Sequence, residues 1–315
     1  MSSGAARSVP AALWAGLSRR PALLLILTTL IWGSNAVAAR LAVGEVSPMM
    51  LTTARWSIAC IALWAVARRR VAAHRAALRP RWRYLVAMGA CGFTAFNALF
   101  YTAAHHTTAV NLGLIQGVIP VLVLLGGVLF LRLRVTPLQL LGVAVTLAGV
   151  AMVAARGQWR VLAALDFNGG DVGILLASLL YAGYTLGLRS RPAVPPLVFF
   201  AAVAAVAALT SLPLLAWEVW AGRFFWPTPL GWLLLLYVGL MPSFVSQISF
   251  IRGVELIGPA RASVYLNLNP VFGPALAVLL LGEPLHPYHL AALAMVLGGI
   301  WIAERLGAPR TLQSQ

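Results

Sequence analysis

The chain has 315 residues, 61% of them hydrophobic and only 10% charged, with a mean hydropathy of +0.89. Soluble domains carry about 25% charged residues, so this composition excludes a fully water-facing surface and makes lipid the outer solvent. The net charge of +16 rests on 23 basic residues, every one an arginine. They lie in short clusters between apolar runs, which argues against nucleic acid as a partner, and the lack of lysine excludes a Schiff-base photoreceptor.

A run of about 20 apolar residues spans the hydrocarbon core. In chain order, ten runs are predicted to do so: Pro21–Ala39, Pro48–Ala67, Tyr84–Ala104, Thr107–Leu131, Val135–Ala155, Val172–Leu188, Pro192–Trp217, Pro229–Ile251, Ala262–Gly282 and Leu285–Ala303. The connections are short and leave no room for a soluble domain. Cys60 and Cys91 both fall inside apolar runs and read as small buried hydrophobes.

Arginine placement sets the expected orientation. With the N-terminus in the cytoplasm, the inside segments hold 18 arginines: Arg7, Arg19, Arg20, Arg68–Arg70, Arg75, Arg79, Arg81, Arg83, Arg132, Arg134, Arg189, Arg191, Arg252, Arg261, Arg305 and Arg310. The outside segments hold four, Arg40, Arg156, Arg160 and Arg223. This positive-inside bias places both termini in the cytoplasm. Arg19, Arg20, the apolar run and Ala36–Ala39 also resemble a signal peptide, but cleavage there would break the repeat described next, so the segment is expected to be retained.

Val110–Val153 aligns with Ala260–Ala303 at a fixed offset of 150. Pro120 falls on Pro270, Val121 on Val271, Val128 on Val278, Leu129 on Leu279 and Leu131 on Leu281. Pro137 falls on Pro287, Leu140 on Leu290, Ala144 on Ala294, Leu147 on Leu297 and Gly149 on Gly299. At an offset of 149 the first span lies over the sixth, with Arg40 on Arg189. Five spans per copy is an odd number, so the copies run with opposite topology. The expected fold is therefore an all-α polytopic membrane protein, ten transmembrane helices arranged as two inverted five-helix repeats. The domains are a cytoplasmic segment 1–20, a first repeat 21–155, a second repeat 168–305 and a cytoplasmic tail 306–315.

Particular residues add a family resemblance. Trp32-Gly33-Ser34-Asn35, then Ser47-Pro48 and Arg55, resemble the opening of the drug/metabolite transporter superfamily, EamA type. Leu235-Leu236-Tyr237-Val238-Gly239-Leu240, Arg252, Glu255, Gly258-Pro259-Ala260 and Ala262-Ser263 are similar to its second-half signature. So are Asn269-Pro270-Val271-Phe272 and Leu281-Gly282-Glu283. The similarity runs from about residue 22 to about residue 304. It implies a ten-helix carrier of small molecules, commonly an exporter of amino acids or other metabolites from the inner membrane. Family members often carry a glutamate before the ninth-span proline. Asn269 stands there in this chain, which removes a titratable group near the membrane centre and argues against simple proton coupling.

Polar groups within a bilayer are costly unless they face protein or a wet cavity. The candidate substrate contacts are accordingly Trp32, Ser34, Asn35, Asn97, Tyr101, Asn111, Gln116, Tyr181, Tyr184, Ser243, Gln247, Tyr265, Asn267 and Asn269, with helix–helix packing as the alternative at each. On one continuous helix Asn267 and Asn269 are about 200° apart and face different ways. Pro120 and Pro270, mid-span and equivalent, are candidate hinges or static bends.

Arg55, the one arginine within a predicted span, is read as binding an anion, pairing with Glu45 or snorkelling, with a structural or gating pair preferred. Glu45 and Glu283, at outer helix ends, are gates or local salt bridges, and Glu255 lies beside Arg252. His105 and His106 read as an exposed loop pair. A single intraspan cation disfavours phosphorylated substrates. A small neutral, zwitterionic or aromatic solute fits the tyrosines and Trp32 better. Membrane lipid is the surrounding partner.

No P-loop, zincin pattern or nucleophile elbow is present, so no metal or cofactor is expected and the chain does not read as an enzyme. The expected function is secondary transport by alternating access. The alternatives are an intramembrane lipid-modifying enzyme, a drug or polyamine efflux carrier of the same family, or a channel.

Overall fold

The structure, a computed structural model, describes residues 20–133, 135–164 and 167–303. The expectations placed on segments 1–19 and 304–315 and on Arg134 lie outside the described residues. Within them the secondary structure is helical, and eight helical stretches are long and apolar enough to cross a membrane.

Nine of the fifteen α-helices have a proline in their first two positions, where its missing N–H falls among donors the helix leaves unpaired anyway. α1 (Pro21–Leu41) is followed by α2 (Pro48–Leu78), which runs eleven residues past its predicted end at Ala67. The stretch Arg68–Leu78 reads as a charged loop by hydropathy. Its alanines and arginines are nevertheless strong helix formers, so the helix continues. A 3-10 turn (Arg79–Arg81), α3 (Trp82–Gly89), a π-helical turn (Ala90–Ala95) and α4 (Phe96–Ala103) follow without interruption. Pro48–Ala103 is thus one helical run of 56 residues.

Next come α5 (Ala109–Ile115), a 3-10 turn (Gln116–Val118), α6 (Ile119–Leu131), α7 (Pro137–Ala154) and the short α8 (Trp159–Ala164). The second half holds α9 (Gly169–Gly187), α10 (Pro196–Trp220), α11 (Pro229–Leu240), a second π-helical turn (Met241–Val245) and α12 (Ser246–Ile257). It ends with α13 (Pro259–Leu266), α14 (Asn269–Leu281) and α15 (Pro287–Trp301), the last being 15 residues long where Leu285–Ala303 was predicted.

Backbone irregularities recur near an offset of 150. The π turns stand at Ala90–Ala95 and Met241–Val245. Helices break at Gln116–Val118 and again at Asn267–Leu268. Left-handed residues end α6 at Arg132 (φ 53°) and α14 at Gly282 (φ 64°). Thr136 and His286 then stand as N-caps before Pro137 and Pro287.

α10 lies along α2, α15 along α7, and α14 against both α1 and α5. Glycines set the closest approaches. A Cβ on Gly142 of α7 would stand 2.4 Å from Gly299 O, and one on Gly299 would stand 2.5 Å from Gly142 O. A Cβ on Gly33 would meet Gly273 N at 2.8 Å. Close backbone approach of this kind drives association in lipid, where the hydrophobic effect between helices is lost. The outward faces are apolar, with Leu129, Phe130, Leu279 and Trp220 between 73% and 84% exposed. The chain is a multi-pass membrane protein.

Candidate functional site

Both broken helices meet at one cavity of about 160 Å³. Gln116, Gly117, Ile119 and Pro120 line it from the first break, and Leu266, Asn267, Asn269 and Pro270 from the second. In the second break, Asn267 N and Leu268 N donate to Val264 O at 3.4 Å and Tyr265 O at 3.0 Å, a tight i to i−3 step that ends the α-helical pattern. The continuous-helix expectation for Asn267 and Asn269 therefore fails, and both residues face the cavity. The prolines also differ from expectation. Pro120 and Pro270 are the second residues of α6 and α14, so their missing N–H groups fall in a first turn and cost no helical hydrogen bond. The discontinuity lies one step before each.

Eight of the candidate contacts line this cavity: Trp32, Asn35, Asn97, Gln116, Tyr181, Gln247, Asn267 and Asn269. Trp32 Nε1 donates to Pro242 O in the second π turn at 3.3 Å. Aromatic wall residues that the sequence did not single out are Trp56, Phe93 and Phe96. Trp56 and Phe93 stack at 4.5 Å with planes 3° apart. Tyr181 continues this wall against Phe96 at 5.2 Å.

The other candidates lie off the cavity. Tyr184 packs against Phe93 behind the wall, and Ser34 Oγ shares a hydrogen bond with Tyr237 OH at 2.5 Å. Ser243 Oγ donates to Val238 O within the second π turn, and Tyr265 belongs to α13.

Arg55 lies on α2, only 6% exposed, and its guanidinium borders the cavity. Its Nη1 donates to Asn97 Oδ1 at 2.8 Å, Tyr101 OH at 2.5 Å and Asn35 Oδ1 at 3.4 Å. Tyr101, itself buried, supports the guanidinium from the far side of the cavity wall.

The expected pairing of Arg55 with Glu45 does not form. Glu45 accepts from Thr228 Oγ1, and its carbonyl accepts from Thr228 N at 3.0 Å, tying the α1–α2 turn to the start of α11. Glu283 likewise finds backbone partners, accepting from Ala109 N and Val110 N at 2.9 Å each and capping α5. Glu218 does the same for α2, at Met49 N and Met50 N. A carboxylate at a helix N-terminus satisfies orphan donors and meets the positive end of the dipole. Glu255 pairs with Arg252 at 3.1 Å.

A second cavity, of about 290 Å³, gathers Arg40, His105, His106, Asn111, Arg156, His286 and His289. Four of the five histidines in the chain thus line one vestibule; His105 and His106 lie in a loop as expected, His106 exposed and His105 half-buried. Burial holds the His105 imidazole below its ordinary range, and the neighbouring His106 and Arg40 push the same way. Asn111 reaches Asp171 Oδ1 at 3.3 Å, and Thr107 Oγ1 donates to the same oxygen at 2.5 Å. Asp171 and Glu218 both lie one residue outside predicted apolar runs, which is why the sequence passed over them. Among the described residues no group of three or more His, Cys, Asp or Glu is placed to hold a metal ion.

Comparison with known proteins places this geometry in context. The EamA-like transporter family matches residues 19–155 and again 168–304. The chain is 28% identical over 304 residues to a probable terminal-alkyne amino-acid exporter of Streptantibioticus cattleyicolor, covering 89% of this chain and 92% of that one. It is 23% identical to the transporter YyaM of Bacillus subtilis, over 90% of this chain and 92% of the relative. It is 26% identical to the inner membrane transporter YedA of Escherichia coli K12, over 85% of each. A solved crystal structure superposes with a TM-score of 0.64 at 20% identity, over 93% of this chain and 99% of the other, a likeness of fold. With the family matched twice across nearly the whole length, this chain belongs to the EamA-like transporter family.

Proposed function

We propose that the chain is a secondary transporter of the inner membrane that exports small metabolites such as amino acids by alternating access. In this reading it crosses the membrane ten times. The 56-residue run from Pro48 divides at Arg79–Arg81 into two crossings, and α15 supplies the tenth. The two five-helix halves are inverted, and both termini are cytoplasmic.

The observation that carries the mechanism is the pair of helices interrupted at equivalent positions around one cavity. Interrupted helices put backbone polar groups and half-helix ends at a midplane site, a recurring feature of carriers built from inverted repeats. The packing supports the same symmetry. The neighbours α1–α14 and α1–α12 correspond to α9–α6 and α9–α4, and α2–α11 corresponds to α10–α3. Each contact exchanges with its counterpart when the halves are swapped. The solute class follows from the walls: flat aromatic faces and amides suit a small neutral, zwitterionic or aromatic molecule.

The test is counterflow in proteoliposomes. Vesicles preloaded with unlabelled amino acids should take up a labelled trace of one of them, and only when preloaded. Uptake that ignores the preload and does not saturate would point to a channel. The complete absence of exchange with amino acids, cationic drugs and polyamines would overturn the reading.

A further inference from the structure

Among the described residues Arg55 has no counter-ion. Each acidic residue among the described ones is engaged elsewhere: Glu45 with Thr228, Asp171 with Thr107 and Asn111, Glu218 and Glu283 with helix N-termini, Glu255 with Arg252. The guanidinium stands 5.2 Å from the Trp56 ring centroid and 5.9 Å from that of Tyr101, and its hydrogen bonds use one side only. All three of its hydrogen bonds leave from Nη1, while Nε is buried without a partner and Nη2 makes no bond. The Nε–Nη2 edge is the fork whose geometry matches a carboxylate bidentately. A buried cation lacking a partner is costly, and the cost is relieved when an anion is brought to it.

The cavity that Arg55 lines is of a size that holds a benzene-like group. Trp56, Phe93 and Tyr181 give it flat apolar walls. The amides Asn267 and Asn269 stand across it on the broken helix, and Asn269 Oδ1 is buried with no partner, an acceptor waiting for a donor.

We propose that Arg55 is the carboxylate-binding residue of the central cavity, and that the transported solute carries a carboxylate for its Nε–Nη2 edge and a hydrogen-bond donor for the Asn267–Asn269 side. This deepens the carrier reading and rests on it. A solute with an ammonium and a carboxylate on one carbon meets both requirements, with an aromatic or aliphatic side chain against the stacked rings. The fixing of Nη1 by Asn35, Asn97 and Tyr101 presents the free edge at a set angle before the solute arrives.

The test compares the aliphatic and aromatic amino acids with their amides, which keep the ammonium and side chain but lose the carboxylate. Binding to purified protein in nanodiscs is read by the fluorescence of Trp32 and Trp56, both in the cavity wall, and exchange is read by counterflow. In the wild type the best-bound acids should bind at least about tenfold more tightly than their amides, as expected for hydrogen bonds between charged partners. Arg55→Gln should bring acid and amide to equal affinity, and Arg55→Lys, which keeps the charge without the fork, should fall between. The wild-type comparison stands even where a variant fails to fold.

Amides that bind and exchange as well as the acids would overturn the carboxylate assignment and leave the carrier reading intact. So would discrimination that survives Arg55→Gln. Failure of every acid to bind, in a protein that exchanges other solutes, would overturn the assignment alone. Failure of binding and of exchange for all solutes would overturn both.

Discussion

The central cavity and the histidine-lined vestibule are walled by different chemistry. The cavity has aromatic rings, amides and one guanidinium, groups that keep their charge state across the physiological range. The vestibule has two arginines and, beside them, four imidazoles, the side chains whose charge depends on pH. Asn269 sharpens the contrast, being an amide where the family resemblance implies a glutamate. In the proposed carrier, acidification is expected to act on the vestibule and to leave the centre unchanged. Under the proposed carrier reading, recognition at the centre rests on shape and one fixed charge.

The largest effect should come from closing the centre. Gln116 lines the cavity, and its Nε2 makes only a local bond to Leu112 O at 2.9 Å. Gln116→Trp fills the cavity while giving up little, so exchange is expected to drop to the level of protein-free vesicles with the melting temperature nearly unchanged. Exchange that persists would mean the solute does not pass through this cavity.

A smaller effect should follow from moving the vestibule's chemistry inward. Asn269→Asp places a carboxylate on the cavity that Arg55 borders, where the amide oxygen it replaces has no partner. The new acid competes for the guanidinium, so affinity for carboxylates should fall about tenfold, a difference of about 1.4 kcal/mol. The loss should reverse on acidification as the new carboxyl is neutralised. Wild-type affinity should show no such reversal. A pH-independent loss in the variant would place Asn269 outside the electrostatic reach of Arg55.

Much of this architecture can be read from the sequence, and the misses have physical causes. Apolar runs of membrane length are unmistakable because a bilayer permits no other backbone solution, and prolines mark where most helices begin. Arg68–Leu78 misleads because hydropathy reports solvation, whereas backbone form there follows helix propensity. Pro120 and Pro270 signal an irregularity but not its position, since proline suits the first turn of the helix that follows the break. Arg55 stands out as the one charge in an apolar run. Its partners do not, because Glu45 is near in sequence while Asn97 and Tyr101 arrive from another helix. The vestibule is invisible for the same reason: some 180 residues separate His105–His106 from His286 and His289. Only the packed fold joins them.

The smallest effect tests the titrating half of the comparison. His105 lies in the turn after α4, facing Arg40, His106, Arg156, His286, His289 and Tyr288, with Asp171 the nearby acid. Burial, with the charges of His106 and Arg40 adding to it, holds its folded-state value below the ordinary 6.5. On acidification the unfolded chain therefore takes up this proton first. Stability is lost as the pH falls below 6.5, and the loss levels off once the pH passes the folded value. His105→Gln removes that share of the loss. The drop in melting temperature between neutral and mildly acidic buffer should shrink by about 1 °C, the shift expected of a sub-kilocalorie term in a chain of this size. An unchanged drop in His105→Gln would show that proton uptake at other groups governs the acid response, and that His105 is not the titrating element of the vestibule.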